Sequence, residues 1–293
     1  MEYTKHADIQ LPPDCNQIST KQAMTVDVED YFHVSAFETN IDRSNWKNLE
    51  LRVETNTYRL LELFAEKKAK CTFFTLGWVA ERCPNLIKAI VEQGHELASH
   101  GYSHQRATLM TPEQFRADVS KSKQLLEDAA GEKIIGYRAP SFSFNDSNTW
   151  VYKELVELGF EYSSSTYPIE HDLYGVPDWP RFKYQREEGI IEIPVPTVRK
   201  ADKNTGIGGG GYFRLYPYWL SKKRIDGYLK VEKQPYSFYF HPWEIDPHQP
   251  KIKDASLKSK LRHYVNLSRM EGKVGRLLDD YQWDTMKSIY LGK

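Results

Sequence analysis

Two histidines and a cluster of acids have the residue types of a metal site. The segment SHGYSH places His100 and His104 four residues apart, and the acidic segment TVDVED lies upstream of it. Two histidines and one carboxylate leave a coordination position open for water, as in catalytic zinc sites. In a strand, alternate side chains share a face, so Asp27 and Glu29 point together while Asp30 turns with the loop. The same residues are also compatible with local hydrogen bonds and a solvated acidic turn.

Two further residues could take part in proton transfer beside such a site. Arg138 precedes a proline in YRAPSF, where a guanidinium can hold a carboxylate in its ionised form. His241 directly follows the aromatic run in FYFHPWEID, and histidine is a natural proton donor near neutral pH. Taken singly, an arginine after a strand is more often a surface ion pair, and a lone histidine is more often structural.

Strand-like and helix-like segments alternate along the chain and position these residues. A polar leader, residues 1–21, precedes strand-like AMTVDV, KCTFFTLG, HELAS and IIGYRAPSFS. Between them lie the helical patterns TYRLLELFAEKKA, CPNLIKAIVEQG and TPEQFRADVSKSKQLLEDAAG, with Thr111 as an N-cap and Gly94 as a C-cap. This alternation predicts an α/β fold with a parallel sheet and right-handed crossovers.

The alternation continues with one interruption, so we expect a single domain over residues 22–293. From about 165 to 215 the pattern changes to Pro, Gly, Trp and Tyr, including GIGGGGYFRLYP, which indicates an inserted loop region that walls a cleft. Residues 255–285 have a helical pattern again. The polar motifs follow strands, which is where barrel enzymes place their catalytic groups.

Composition excludes several classes of protein. The 293 residues contain 40 basic and 40 acidic side chains, so no overall charge attracts nucleic acid. The N-terminus lacks the apolar core of a secretory signal, and no apolar run is long enough to be transmembrane, so we expect a cytoplasmic protein. Cys15, Cys71 and Cys83 form no CxxC pair, which is typical of reduced thiols.

The ordered set of acid cluster, HxxxH, RxP and late histidine resembles the NodB-type polysaccharide deacetylases of carbohydrate esterase family four, over roughly residues 22–285. The segments DVEDYFHVSAFE, YPIEHDLYGVPDWPRF, GGGGYFRLYPYWL, FYFHPWEIDPHQP and RHYVNLSRMEGKVGRLL are similar to the subgroup found in exopolysaccharide gene clusters of exosortase-bearing bacteria. The resemblance implies a distorted (β/α)7-type barrel, with C-terminal helices and with the site at the carboxyl ends of the strands.

The same resemblance implies a divalent metal site. His100 and His104 match the paired metal histidines. The family's usual adjacent aspartates are replaced here by Asp27, Val28, Glu29 and Asp30, so the carboxylate ligand is Glu29 or Asp30, and strand alternation favours Glu29. Such a ligand set suits Zn²⁺, and also accepts Co²⁺, Ni²⁺ or Mn²⁺.

The resemblance also implies the proton-transfer groups: Asp27 as general base, Arg138 as the residue that orients it, and His241 as general acid. Two positions depart from the family pattern. Tyr239 stands where a leucine is usual, and Ser163 stands where an aspartate usually pairs with the late histidine. Another acid, such as Asp172 or Glu244, would have to replace that aspartate, or the acid step is weaker.

The implied function is metal-dependent de-N-acetylation of an N-acetylhexosamine glycan during exopolysaccharide biosynthesis, with release of acetate. Aromatic side chains that could stack on sugar rings are Tyr167, Trp179, Tyr212 and Trp243. A cytoplasmic enzyme would act on a lipid-linked or nucleotide-linked intermediate, in peripheral association with polysaccharide assembly machinery. The alternatives are a metal-independent amidohydrolase on the same scaffold, and a non-catalytic glycan-binding protein with a decayed site, which Ser163 favours.

Overall fold

A computed structural model describes residues 20–171 and 174–293. Its strands are β1 (Lys21–Val28), β2 (Thr72–Thr75), β3 (Glu96–Ser99), β4 (Gly136–Tyr137), β5 (Tyr162–Ser163), β6 (Tyr184–Gln185), β7 (Ile191–Glu192), β8 (Thr197–Lys200), β9 (Lys203–Gly206), β10 (Ser237–Phe240) and β11 (Gln282–Asp284). Its α-helices are α1 (Val53–Glu66), α2 (Gly77–Arg82), α3 (Pro84–Glu92), α4 (Pro112–Ala130), α5 (Val151–Glu157), α6 (Gly210–Leu215), α7 (Tyr218–Glu232), α8 (Leu257–Tyr264) and α9 (Leu267–Asp280).

Short helical turns complete the architecture. The 3₁₀ turns are Ser35–Phe37, Arg43–Asn48, Ala107–Leu109, Pro140–Phe142 and Pro242–Ile245, and a π-helical turn covers Lys287–Leu291. Two of the 3₁₀ turns directly follow polar motifs of the sequence, after Arg138 and after His241. The chain therefore bends sharply just beyond each of these side chains.

The main sheet is parallel along most of its width. Its strand order is β10-β1-β2-β3-β4-β5-β7-β6, with β6 antiparallel to β7 and with β11 parallel to the first residues of β1. Strands β8 and β9 form a separate antiparallel hairpin. The path of the described strands begins at β10 and ends at β6, so the sheet is a curled half-barrel. The predicted α/β alternation with a parallel sheet is confirmed.

The register brings the polar motifs to one edge of the sheet. Asp27 of β1 lies opposite Phe74 of β2, and Ser99 at the end of β3 lies opposite Tyr137 at the end of β4. Val26 of β1 lies opposite Phe240 at the end of β10. Because the strands are parallel, the residues that follow them emerge at the same edge.

Local signals account for the helix boundaries. Helix α4 begins with a capping box in which the Thr111 hydroxyl accepts from the backbone of Gln114, and it ends at Gly131 with a φ of 72°. Helix α3 ends before Gly94, which has a φ of 73° and donates its backbone N–H to Val91. The predicted caps at Thr111 and Gly94 are both confirmed.

The central strand explains why the sheet has a continuous core. Residues 22–28 of β1 are all buried, because β1 has neighbours on both edges and side chains packed on both faces. Cys71 and Cys83 are buried free thiols, as expected, and Cys15 lies outside the described residues. No helix of the described residues is long and apolar enough to cross a membrane.

Two regions differ in part from the sequence-based expectation. The segment 165–215, expected as an inserted loop, contributes β6 and β7 to the main sheet in addition to the β8–β9 hairpin. The segment 255–285, expected as helical, contains α8 and α9 but ends in β11, which pairs with the start of β1. Its partner strand is distant in sequence, so no local periodicity could indicate that pairing.

Buried His95 is expected to make folding stability depend on pH. Burial against Phe64 and Phe73 lowers the pKa of His95 to about 4. The folded state disfavours the charged ring. The contribution of neutral His95 to the free energy of unfolding is therefore complete above pH 6.5 and is lost as the pH falls toward 4. The loss is about 3 kcal/mol. Urea unfolding of wild type and His95→Leu at pH 7, 5.5 and 4 should show a shallower decline in the variant; equal slopes would contradict the assignment.

Candidate active site

Three ligand-type side chains meet at the carboxyl edge of the sheet. The ligand atoms of Glu29, His100 and His104 lie within 4.8 Å of one another, and all three residues are buried. Oε2 of Glu29 lies 2.5 Å from Nε2 of His104. Among the described residues this oxygen has no hydrogen-bond partner of acceptable geometry. A buried carboxylate oxygen facing two imidazoles is the donor set of a divalent cation, so these residues fit a zinc-like ion.

The loop that carries the histidines is tightly wound. Gly101 and His104 both have positive φ, 73° and 50°, which reverses the chain twice within five residues. The Asp118 carboxylate of α4 accepts the backbone N–H groups of Tyr102 and Ser103 and anchors the loop. Asp118 carries no signal in the sequence, because it lies on an ordinary helical face. The two histidines of the HxxxH motif are therefore brought together by a loop and not by a helix.

The tautomer of His100 is set by its surroundings. Its Nδ1 lies 2.8 Å from the carbonyl oxygen of Arg138, so Nδ1–H donates and Nε2 is left as the ligand atom. Burial lowers the pKa of His100 to about 4, so its ring is neutral near pH 7 and has a lone pair for a metal.

Asp30, the other carboxylate considered as a metal ligand, lies outside the cluster. Its Oδ1 accepts the backbone N–H of Tyr31, and its Oδ2 accepts those of Arg52 and Val53 at the start of α1. Both oxygens are therefore occupied by backbone donors, and Oδ2 holds the start of α1. The inclusion of Asp30 as a metal ligand is corrected in favour of Glu29, because the Asp30 carboxylate is engaged by these donors and only Glu29 joins the two histidines.

Asp27 and Arg138 form a buried ion pair beside the cluster. Nη1 of Arg138 lies 2.6 Å from Oδ1 of Asp27, and both side chains are at most 3% exposed. Arg138 also donates to Thr25 and Ser164 and lies over the ring of Phe74. The guanidinium therefore fixes the position of the Asp27 carboxylate. The sequence did not point to Thr25 or Ser164 as supports of this pair.

His241 lies beside both Glu29 and Asp27. Its Nε2 is 3.6 Å from Oε1 of Glu29 and 3.9 Å from Oδ2 of Asp27, while its Nδ1 is 2.8 Å from Oε1 of Glu244. Burial acts to lower the pKa of His241, but the charge of Glu29, the hydrogen bond to Glu244 and the charge of Asp27 together raise it to about 9. A cation bound at Glu29 would weaken the contribution of the Glu29 charge to the pKa of His241 and would leave the contribution of Glu244.

The acid beside His241 is Glu244, one of the two acids considered in the sequence analysis. Ser163, where the family resemblance leads us to expect an aspartate, donates its hydroxyl to Ser165, 2.7 Å away. Glu244, three residues after His241, occupies the Nδ1 side of the ring instead. Asp172, the other acid considered, lies outside the described residues.

The four aromatic candidates for sugar binding are not equivalent. Tyr167 and Trp243 are only 2% and 5% exposed, and Trp243 stacks on His241 and His263. Neither of these two buried rings presents a free face, which corrects their assignment to sugar stacking. Half-buried Trp179 donates to Asp146, away from the cluster. Tyr212 is 53% exposed and remains available to a ligand.

The cluster, the ion pair and His241 bring together the groups that metal-assisted hydrolysis requires. The Asp27 carboxylate and the His241 imidazole lie beside the cluster, and such groups can accept a proton from water and return one to a leaving group. This arrangement was assembled from four strand ends that are far apart in sequence.

Comparison with known proteins relates two parts of the chain to family models. Residues 42–162 match the family described as polysaccharide deacetylase, and residues 164–291 match a domain of unknown function, DUF3473. A peptidoglycan deacetylase of Helicobacter pylori is 32% identical over 137 residues, 46% of each chain. A peptidoglycan-N-acetylglucosamine deacetylase of Bacillus cereus is 31% identical over 107 residues, 36% of this chain and 48% of the relative. The chain thus spans about half the length of these curated relatives.

Solved structures agree on the fold. A Mycobacterium smegmatis protein assigned to the polysaccharide deacetylases superposes with a TM-score of 0.59 at 19% identity, over 98% of this chain and 93% of the other. The Bc1960 peptidoglycan N-acetylglucosamine deacetylase gives a TM-score of 0.51 at 14% identity, over 93% and 88%. The barrel-like fold implied by the sequence resemblance is confirmed. The chain therefore carries a polysaccharide deacetylase domain over residues 42–162, followed by a DUF3473 domain over residues 164–291.

Proposed function

We propose that this chain is a metal-dependent N-deacetylase of N-acetylhexosamine glycans. The observation that carries the proposal is that Nε2 of His241 lies 3.6 Å from Glu29 of the Glu29–His100–His104 cluster and 3.9 Å from Asp27. Base, ligand set and acid are then within reach of one acetamide group. We further propose that residues 22–293 act as a single functional unit.

Glu29, His100 and His104 would hold the cation, which we propose to be Zn²⁺, with Co²⁺, Ni²⁺ or Mn²⁺ as substitutes. A bound divalent cation would polarise the acetamide carbonyl and acidify a water molecule. The fit rests on the donor set and on the buried Glu29 oxygen that faces His104.

The proton transfers follow from the positions of the chain's own groups. Asp27, held in position by Arg138, accepts a proton from the water that attacks the acetamide carbon. His241 then donates the proton on Nε2 to the sugar nitrogen as the carbon–nitrogen bond breaks. Its Nδ1–H bond to Glu244 keeps Nε2 directed at the reacting group. Acetate and a free amino sugar are the products.

The substrate class is proposed from chemistry and from relatives. The H. pylori and B. cereus relatives are named for peptidoglycan, and a Sinorhizobium fredii relative, 30% identical over 91 residues, is named a chitooligosaccharide deacetylase. Peptidoglycan and chitooligosaccharides are both N-acetylated glycans. We propose an intermediate of exopolysaccharide biosynthesis as the substrate, acted on in the cytoplasm beside assembly machinery, with exposed Tyr212 as a stacking residue.

Neither alternative function has a structural observation in its favour. A non-catalytic glycan-binding role rested on Ser163, and Glu244 now supplies the missing acid at His241. A metal-independent amidohydrolase would not need the complete donor set of Glu29, His100 and His104. Metal-dependent deacetylation therefore accounts for more of the residues at this site than either alternative does.

Acetate release from N-acetylglucosamine oligomers and from peptidoglycan fragments tests the proposal. We expect activity that disappears after chelation and returns when Zn²⁺ or Co²⁺ is added, with one ion bound per chain. Apoprotein mixed with Mg²⁺ serves as a control, because this ion prefers oxygen ligands. A chain that binds one ion and releases no acetate from any of these glycans would contradict the proposal.

A further inference from the structure

We propose that Arg214 and Glu244 form a clamp that positions His241 for proton donation, so that DUF3473 supplies a working part of the active site. The inference rests on the proposed deacetylase function. Arg214 contacts no reacting atom in this scheme and is a positioning residue. Glu244 takes the place of the acid that relatives carry at the position of Ser163.

Glu244 meets His241 from within the same short turn. The 3₁₀ turn Pro242–Ile245 folds Oε1 of Glu244 back to His241, where it accepts both the backbone N–H, at 3.1 Å, and Nδ1–H, at 2.8 Å. The Glu244 side chain is 1% exposed. Two hydrogen bonds to one oxygen fix the ring's rotation and leave Nε2 facing Asp27 and Glu29.

Arg214 holds the other oxygen of Glu244 from α6. Its Nε donates to Oε2 of Glu244 at 2.7 Å. Its remaining nitrogens donate to the carbonyl groups of Arg262, His263 and Val265, at 3.2, 2.6 and 2.9 Å. A guanidinium with all of these donors engaged has one orientation, so the carboxylate it binds has little freedom.

Glycine at position 210 makes room for the carboxylate. A Cβ at Gly210 would lie 2.2 Å from Oε1 and 2.3 Å from Oε2 of Glu244, a separation that real atoms do not tolerate. At the next position, Gly211, a Cβ would meet no described heavy atom within 4 Å. The glycine run, expected to belong to an inserted loop region, provides space for the Glu244 carboxylate at Gly210.

This pair of glycines gives a matched experiment. In Gly210→Ala the added methyl displaces Glu244, whereas Gly211→Ala adds the same atoms to the same helix without contact. We expect Gly210→Ala to lower kcat for glycan deacetylation by about 10- to 100-fold, with KM changed by less than about threefold, and Gly211→Ala to stay within about twofold of wild type. Equal effects of the two substitutions would overturn the proposal.

Hydrolysis of an aryl acetate distinguishes a loss of proton donation from a general loss of active-site structure. A phenolate leaving group needs no proton, so Gly210→Ala and Arg214→Met should lose amide hydrolysis while retaining most aryl ester hydrolysis. Parallel loss of both activities would indicate a structural role alone. In a double variant, Arg214→Met should add little to Glu244→Gln if Arg214 acts through Glu244, and additive losses would contradict this. Arg214→Lys covers the case in which Arg214→Met does not fold.

A spectroscopic readout keeps the inference separate from the proposed function. In zinc-loaded, isotope-labelled protein, the Nδ1–H of His241 bonded to a carboxylate should give a downfield proton resonance. We expect it to be lost in Glu244→Gln, shifted in Gly210→Ala and unchanged in Gly211→Ala. A resonance unaffected by all three substitutions would overturn the clamp. Absence of acetate release by wild type would instead contradict the deacetylase proposal, while this resonance still tests the clamp.

Discussion

Replacing Asp27 by Asn is expected to lower acetate release by at least about a hundredfold while one metal ion per chain is still bound. An amide has the size of the carboxylate but cannot accept the proton of the attacking water. Its oxygen can still accept from Nη1 of Arg138, which lies 2.6 Å from Oδ1 in the wild type. Initial rates of acetate release together with metal content measured on the same preparation provide the test.

The control for Asp27→Asn addresses stability. Removing one charge of a buried ion pair typically costs about 3–5 kcal/mol, and Arg138 retains Thr25 and Ser164 as acceptors, which reduces that cost. Thr25→Val, which removes one of these acceptors and leaves the carboxylate, is expected to reduce stability and to keep most of the activity. Activity of Asp27→Asn within tenfold of wild type would rule out Asp27 as the base.

Substituting the two neighbouring acids should have opposite consequences. Glu29→Gln is expected to lose the bound metal and with it essentially all activity, because the amide removes the only carboxylate of the donor set. Asp30→Asn is expected to keep the metal, since both oxygens of Asp30 already accept backbone N–H groups. Metal content after dialysis, measured for both variants in parallel, distinguishes them.

The same pair of variants should separate in unfolding experiments. Asp30→Asn places an NH₂ group against backbone donors at the start of α1, so we expect the free energy of unfolding to fall by about 1–3 kcal/mol. For metal-free Glu29→Gln we expect a smaller change, because the amide loses the attraction of His104 and His241 but is also less costly to bury than a charge. Retention of metal by Glu29→Gln, with loss from Asp30→Asn, would reverse the assignment of the ligand.

Sequence reasoning predicted the fold class because its signals are local. Periodic apolar residues, the Thr111 cap and Gly94 each follow from interactions within a few residues. The same reasoning brought Asp27, His100, His104, Arg138 and His241 to one edge, since parallel strands share that edge. Pairing of β11 with β1 joins residues at opposite ends of the chain and could not be derived in this way.

The residue types of the proposed site were determined by the sequence alone: a carboxylate near the end of a strand, and two imidazoles, a guanidinium and a late histidine that follow strands. Which carboxylate faces the cluster, which aromatic rings remain exposed and which acid supports His241 were decided only by the tertiary structure. These choices depend on packing between segments distant in sequence. Glu244 can reach His241 only because Gly210 leaves space and Arg214 supplies a buried positive charge. No pattern within one segment encodes the volume and charge contributed by another.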